Sequence, residues 1–250
     1  MRRYGPAVLL LLVGAAVLRI SLFSDLYLRY VQAGLRPYLI ASGVLLGLLG
    51  LVGAAMAARA AREGAVFADG DAHPDEDAHD HGHSHTGGPR FAWLLTLPAA
   101  ALLLFPPPAL GSYSAAREGA QRAAEGVGTF PALPADDPVD LSVAAFSSRA
   151  IYDSGHSLTG HTVRLTGFVT HGDSGTWYVT RLLVSCCAAD ATTSKVDVRG
   201  ANAPETDTWV TVTGTWHPKG KLGSSAAWPP LLDAKTVRQV TEPSDPYEKR

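Results

Sequence analysis

Apolar residues fall into two different patterns along the chain: long unbroken runs in the N-terminal part and short alternating runs in the C-terminal part. The first run, Pro6 to Phe23, is interrupted only by Gly14, Arg19 and Ser21 and follows the basic pair Arg2 and Arg3. It continues through Leu22 and Phe23 without a small-residue cleavage site, which predicts a retained membrane span rather than a signal peptide. The second, Pro37 to Ala58, is free of charge and long enough to cross a hydrocarbon core of about 30 Å. Its Gly43 and Gly47, and its Gly50 and Ala54, are small-xxx-small pairs that permit another helix to come close, although small residues are also simply common in membrane helices. The third, Phe91 to Leu110, is charge-free but carries Pro98 and then Pro106, Pro107 and Pro108, so its helix is expected to end at or before Phe105.

The C-terminal part alternates. Val163 to Val169, Trp177 to Ser185, Lys195 to Arg199, Trp209 to Thr215 and Leu231 to Val240 read as five short strands, and Leu141 to Tyr152 as a further helix or an opening strand. Gly167 and Gly214 inside two of these strands permit the bends or bulges of a curved sheet. The expected fold class is therefore a membrane α-helical N-terminal block of three spans plus an all-β C-terminal domain. For that domain an OB-like barrel is expected, with a β-sandwich as the alternative. The boundaries follow: 1–58 two membrane helices with a short outer loop, 59–90 a His/Asp-rich loop, 91–111 a third membrane helix, 112–138 a linker, 139–243 the β domain, and 244–250 a tail.

Charge orients this arrangement. The loops assigned to the inner side carry Arg2, Arg3, Arg59, Arg62 and Arg90, against Arg29 and Arg36 in the first outer loop, although Arg117 and Arg122 beyond the third run weaken the contrast. The expectation is a multi-pass protein of a bacterial cell membrane, its N-terminus and His-rich loop cytoplasmic and its C-terminal domain extracytoplasmic. A net charge of −2 supplies no basic excess for nucleic acid, so the lipid bilayer is the expected surrounding and nucleic acid is not an expected partner. Hydrolase and nucleotide-binding motifs such as Gly-x-Ser-x-Gly are absent, and no enzymatic activity is expected.

Two segments carry candidate chemistry. Asp69 to His85 has no apolar periodicity and holds His73, His79, His81, His83 and His85, five of the nine histidines in the chain. Imidazoles alternating with small and acidic residues suit zinc, copper or nickel in several loose sites; the competing reading is a solvated low-complexity tether. The second segment is Leu183-Val-Ser-Cys-Cys-Ala-Ala-Asp190. On a regular strand Cys186 and Cys187 would point to opposite faces, so both serve one site only where the strand ends or bulges. A disulfide between neighbours would require a distorted peptide. Three roles stay open for the pair: small core residues, thiolate ligands with Asp190 or one of His156, His161, His171 and His217, or a redox pair.

The hydrophobic block, the Asp/His-rich loop, Val163-Arg-Leu-Thr-Gly-Phe-Val169, Thr180-Arg-Leu-Leu-Val-Ser-Cys-Cys-Ala-Ala-Asp190 and Trp209-Val-Thr-Val-Thr-Gly214 together resemble the YcgQ-like bacterial membrane proteins. The resemblance covers nearly the whole chain, and its specific part is the Cys-Cys-Ala-x-Asp run. It implies an accessory subunit that accompanies a multi-span membrane permease of the YcgR or YraQ type, with a link to zinc, and it marks Cys186, Cys187 and Asp190 as a candidate cluster. A membrane-anchored scaffold without metal and an extracytoplasmic thiol-redox protein are the alternatives. Zn2+ is the expected bound ion.

Overall fold

The computed structural model describes residues 4–66, 104–105, 108–117 and 127–249. It divides into two compact units: one holds the N-terminal helices, and the other holds residues 109–250 together with Tyr27–Gly34, the segment that joins those helices in the chain.

In the first unit, α1 (Gly5–Leu22) and α2 (Arg36–Val66) pack against each other, and both are long and apolar enough to cross a membrane. The 18 residues of α1 span about 27 Å, close to the thickness of a hydrocarbon core. Its buried residues, Ala7, Gly14 and Ser21, recur every seventh position and so form one seam. A side chain on Gly14 would come within 2.9 Å of the Gly43 carbonyl and the Gly47 amide, and one on Gly50 within 2.7 Å of Leu11. Small residues here are thus a specific packing device, except that a side chain on Gly47 itself would meet nothing. At the end of the seam the Arg36 guanidinium donates to the Ser21 carbonyl at 2.9 Å. The outward residues, among them Val8, Leu9, Leu12, Leu45, Leu48 and Leu51, are exposed and apolar.

Two expectations change here. The helix α2 runs to Val66, beyond the boundary expected at residue 58, because alanines and arginines after Ala58 are good helix formers although they end the uncharged run. Among the described residues there are two candidate spans, not three. The third, 91–111, lies outside the described residues apart from 104–105 and 108–111, as do His73, His79, His81, His83 and His85.

The second unit is built on seven strands: β1 (Val139–Asp140), β2 (Thr162–His171), β3 (Trp177–Val184), β4 (Thr192–Arg199), β5 (Trp209–His217), β6 (Leu231–Gln239) and β7 (Tyr247–Lys249). They form one sheet in the order β1-β2-β5-β6-β4-β3-β7, with an additional pairing of β2 to β3, so β1 and β7 are its edges. The alternation read from Val163, Leu165 and Val169 puts these residues in the core with Val179, Val196, Val210, Val212 and Leu232. Gly167 lies where β2 changes partner, and a side chain there would come within 2.5 Å of the Thr180 carbonyl. At Gly214 the β5–β6 register shifts, and a side chain would overlap the Asp233 carbonyl. Both glycines therefore serve the bend and the bulge that their positions suggested.

Two helices accompany the sheet. One is short, α3 (Ser112–Arg117); the other, α4 (Val143–Tyr152), resolves the ambiguity of Leu141 to Tyr152 in favour of a helix. Its Val143, Phe146 and Ala150 enter the core at helical spacing. The Ser142 hydroxyl accepts from the Ala145 amide at 3.0 Å, a side-chain cap. Glu248 on β7 accepts from the Val143 and Ala144 amides at 2.7 and 3.0 Å, so the residues expected to be a loose tail instead close the domain. Arg181 lies 3.8 Å from Glu248 and stacks over Trp209. The sheet exceeds the five expected strands by β1 and β7, which are too short to show a period.

Candidate metal centre

The connection between β3 and β4 carries the cysteines. The regular strand ends at Val184, and a single helical turn, Ala188–Asp190, precedes β4. The turn is wrapped around one carboxylate. Asp190 accepts from the Ser185 amide at 2.7 Å through Oδ1, and from the Cys186 and Cys187 amides at 2.8 and 3.4 Å through Oδ2. Beneath the turn lies a small apolar cluster of Phe168, Leu182, Val184, Ala191 and Tyr247, which anchors both strand ends.

The strand ends before Cys186, and the Cys187 backbone is itself extended, at φ −157° and ψ 171°. The two Sγ atoms converge to 3.6 Å and are free thiols. Cys186 is exposed and Cys187 is half-exposed, so neither is a core residue. With Asp190 they form a set of three donors whose ligand atoms all lie within 4.8 Å of one another.

Electrostatics bind the set together. Hydrogen bonding from the Cys186 thiol and from the Ser185, Cys186 and Cys187 amides holds the Asp190 carboxyl down to about 2, well below its ordinary range. The same carboxylate, with Cys187, pushes the Cys186 thiol up to about 12. A hydrogen bond from the Cys186 thiol to the Asp190 carboxylate joins the two groups. Thiolate and carboxylate are both ligand types that zinc accepts.

The histidines of this unit do not join the set. His156 has a positive φ of 50° and stacks on Trp216, and His171 Nδ1 pairs with the Thr206 hydroxyl at 2.8 Å. His217 Nδ1 lies 3.0 Å from Asp233, which the Arg199 guanidinium grips through both carboxylate oxygens. Among the described residues, the converging donors are those of Cys186, Cys187 and Asp190.

One neighbour of the site has no signal in its own sequence. Tyr27–Gly34 lies along the turn: Val31 forms an antiparallel bridge with Cys187, the Gln32 amide donates to the Cys186 carbonyl at 3.0 Å, and the Ala188 amide donates to the Tyr30 carbonyl at 2.8 Å. The Tyr247 hydroxyl adds a bond to the Arg29 carbonyl at 2.8 Å.

No curated protein matches the chain. Among solved structures, the chain is similar to the one described as the crystal structure of the S. pombe Stn1-ten1 complex, at 12% identity and a TM-score of 0.24, over 43% of this chain and 80% of that one. A likeness at that score supports neither a fold nor a role. The family match begins at the capping Ser142 and ends at the capping Glu248 of α4, the two residues that close the domain. Over its β unit the chain is therefore similar to the family described as DUF1980 C-terminal domain, whose model it matches at residues 142–248.

Proposed function

We propose that this chain is a membrane-anchored accessory subunit whose β unit binds a transition metal, zinc, at Cys186, Cys187 and Asp190. The observation that carries the reading is the 3.6 Å separation of the two sulfurs. At a zinc–sulfur distance of about 2.3 Å, that separation gives a sulfur–metal–sulfur angle of about 103°, near tetrahedral. A linear two-thiolate site at similar bond lengths would need roughly 4.6 Å between the sulfurs.

The membrane arrangement supports the same reading. The connection from α1 into α2 carries Arg29 and Arg36, against Arg2, Arg3, Arg59 and Arg62 at the other ends of the two helices, on the opposite side if both cross. The arginine bias puts that connection outside and the end of α2 inside. A multi-span permease of the YcgR or YraQ type is the partner that the YcgQ-like resemblance implies, and the exposed apolar residues of α1 and α2 suit lipid and such a partner alike. We read the sheet as OB-like, although it is not a closed barrel: β2 pairs with β3 in addition to the linear order, and β4 and β6 are parallel, in the manner of a partly open five-stranded barrel. His73, His79, His81, His83 and His85 are assigned a second, looser store of the same ion.

The test is zinc retention by the detergent-purified chain against a mild chelator. One ion is expected to remain, to be lost in the Cys186→Ser/Cys187→Ser variant, and to persist when the five loop histidines become Ala. Equal zinc content with and without the cysteines would overturn the assignment.

A further inference from the structure

We infer that Tyr27–Gly34 is a positioning element of the metal centre, and that an ion bound at Cys186, Cys187 and Asp190 locks this segment onto the β3–β4 turn. The inference rests on the metal reading above and adds a regulatory consequence to it.

The spacing of the two sulfurs depends on how the peptide groups beside them are held. Six hydrogen bonds hold those groups, one of them from the Asp190 amide to the Cys187 carbonyl at 3.0 Å within the turn. Three converge on the Asp190 carboxylate from the Ser185, Cys186 and Cys187 amides. The other two come from outside the turn: the Gln32 amide on the Cys186 carbonyl, and the Tyr30 carbonyl on the Ala188 amide. The carboxylate therefore fixes the inner side of the Cys186-Cys187 dipeptide, and the segment fixes its outer side. Without the segment, the Cys186 carbonyl and the Ala188 amide revert to water, and the dipeptide is free to rotate away from the geometry that brings the two sulfurs to 3.6 Å.

The segment has its own anchorage. Tyr27 and Leu28 are buried, and the Tyr247 hydroxyl, which accepts from the Leu110 amide, donates to the Arg29 carbonyl. Tyr247 belongs to the apolar cluster beneath the turn, so the segment and the turn rest on one base. Linkage then requires reciprocity: if docking of the segment raises ion affinity by some factor, the ion raises docking by the same factor. Because this segment is the covalent connection between α1 and α2, ion occupancy is conveyed to the point from which both apolar helices leave.

Hydrogen–deuterium exchange on the full-length protein in detergent, with and without saturating zinc, tests this. Zinc is expected to slow the Gln32 and Ala188 amides about tenfold, within the usual range of such couplings, and to leave Leu165 and Val212 in the β2–β5 ladder unchanged. In the Cys186→Ser/Cys187→Ser variant, zinc should slow none of them. Gln32→Pro removes the donor to Cys186; zinc affinity should fall about tenfold while the cobalt–thiolate absorption at saturation stays that of wild type. Zinc that binds wild type without slowing Gln32 and Ala188 overturns the inference and leaves the metal site standing, as does unchanged zinc affinity in Gln32→Pro. Failure of wild type to bind zinc overturns both readings. Should Gln32→Pro fail to fold, the wild-type exchange decides alone.

Discussion

Asp190 and Glu248 both accept backbone amides at the start of a turn or helix, yet their surroundings drive them in opposite directions. Glu248 takes the Val143 and Ala144 amides and is nearly covered beside Arg181; burial pushes its carboxyl above the ordinary range despite those bonds. Asp190 takes three amides and the Cys186 thiol in an open turn, and these hydrogen bonds hold it at about 2. On the proposed reading, the contrast separates a closing contact from a ligand. A covered carboxylate is committed to the fold, whereas a half-exposed one that also accepts from a thiol is proposed to be available to an ion.

Removing each carboxylate should sharpen this contrast, with the largest loss at Glu248. Glu248→Ala uncaps α4 and leaves Arg181 buried without its partner, whose guanidinium burial already disfavours its charge. It should cost about 3–5 kcal/mol in chemical denaturation, the usual loss on breaking a buried pair, and leave intrinsic zinc affinity intact in the folded fraction. Asp190→Ala should show the reverse: a smaller loss of stability, but a loss of zinc affinity of at least about tenfold by competition titration. Were Glu248→Ala to weaken zinc more than Asp190→Ala does, the assignment of roles would be inverted.

The two groups should also respond oppositely to pH. Asp190 has a folded pKa of about 2, below its ordinary 3.8, so its stabilising contribution is complete above about pH 4 and is lost as pH falls through about 2. The folded pKa of Glu248 lies above its ordinary 4.5, so its contribution is complete below 4.5 and is lost as pH rises through the raised folded value. Carboxyl carbon shifts followed by NMR should place the two midpoints on either side of pH 4. The smallest effect belongs to Ser142→Ala, which deletes only the hydroxyl cap of α4 and should cost about 1 kcal/mol.

Much of this was legible in the sequence, for identifiable reasons. Strands β2 and β5 announce themselves by alternation, and Gly167 and Gly214 by interrupting it, because a half-buried sheet imposes a period of two. The Cys-Cys-Ala-Ala-Asp run was legible as a candidate cluster, since two neighbouring thiols face one ion only where a strand stops, and β3 stops at Val184. Strands β1 and β7 were not legible: two or three residues show no period, and their positions are set by β2 and β3, which they join. Nor was the bridge between Val31 and Cys187, which lie far apart in the chain and are joined only through backbone groups, so their side chains leave no pattern. The length of α2 was underread because its last turns change from apolar to charged residues without ceasing to favour a helix.

The most direct test of the central claim is the absorption spectrum of the full-length protein titrated with cobalt(II), a spectroscopic stand-in for zinc. The account predicts sulfur-to-metal charge transfer of two-thiolate intensity at one equivalent, abolished by zinc and absent from the Cys186→Ser/Cys187→Ser variant. Absence of that band in the wild-type protein, or its survival in the double variant, would contradict the assignment of Cys186 and Cys187 as ligands.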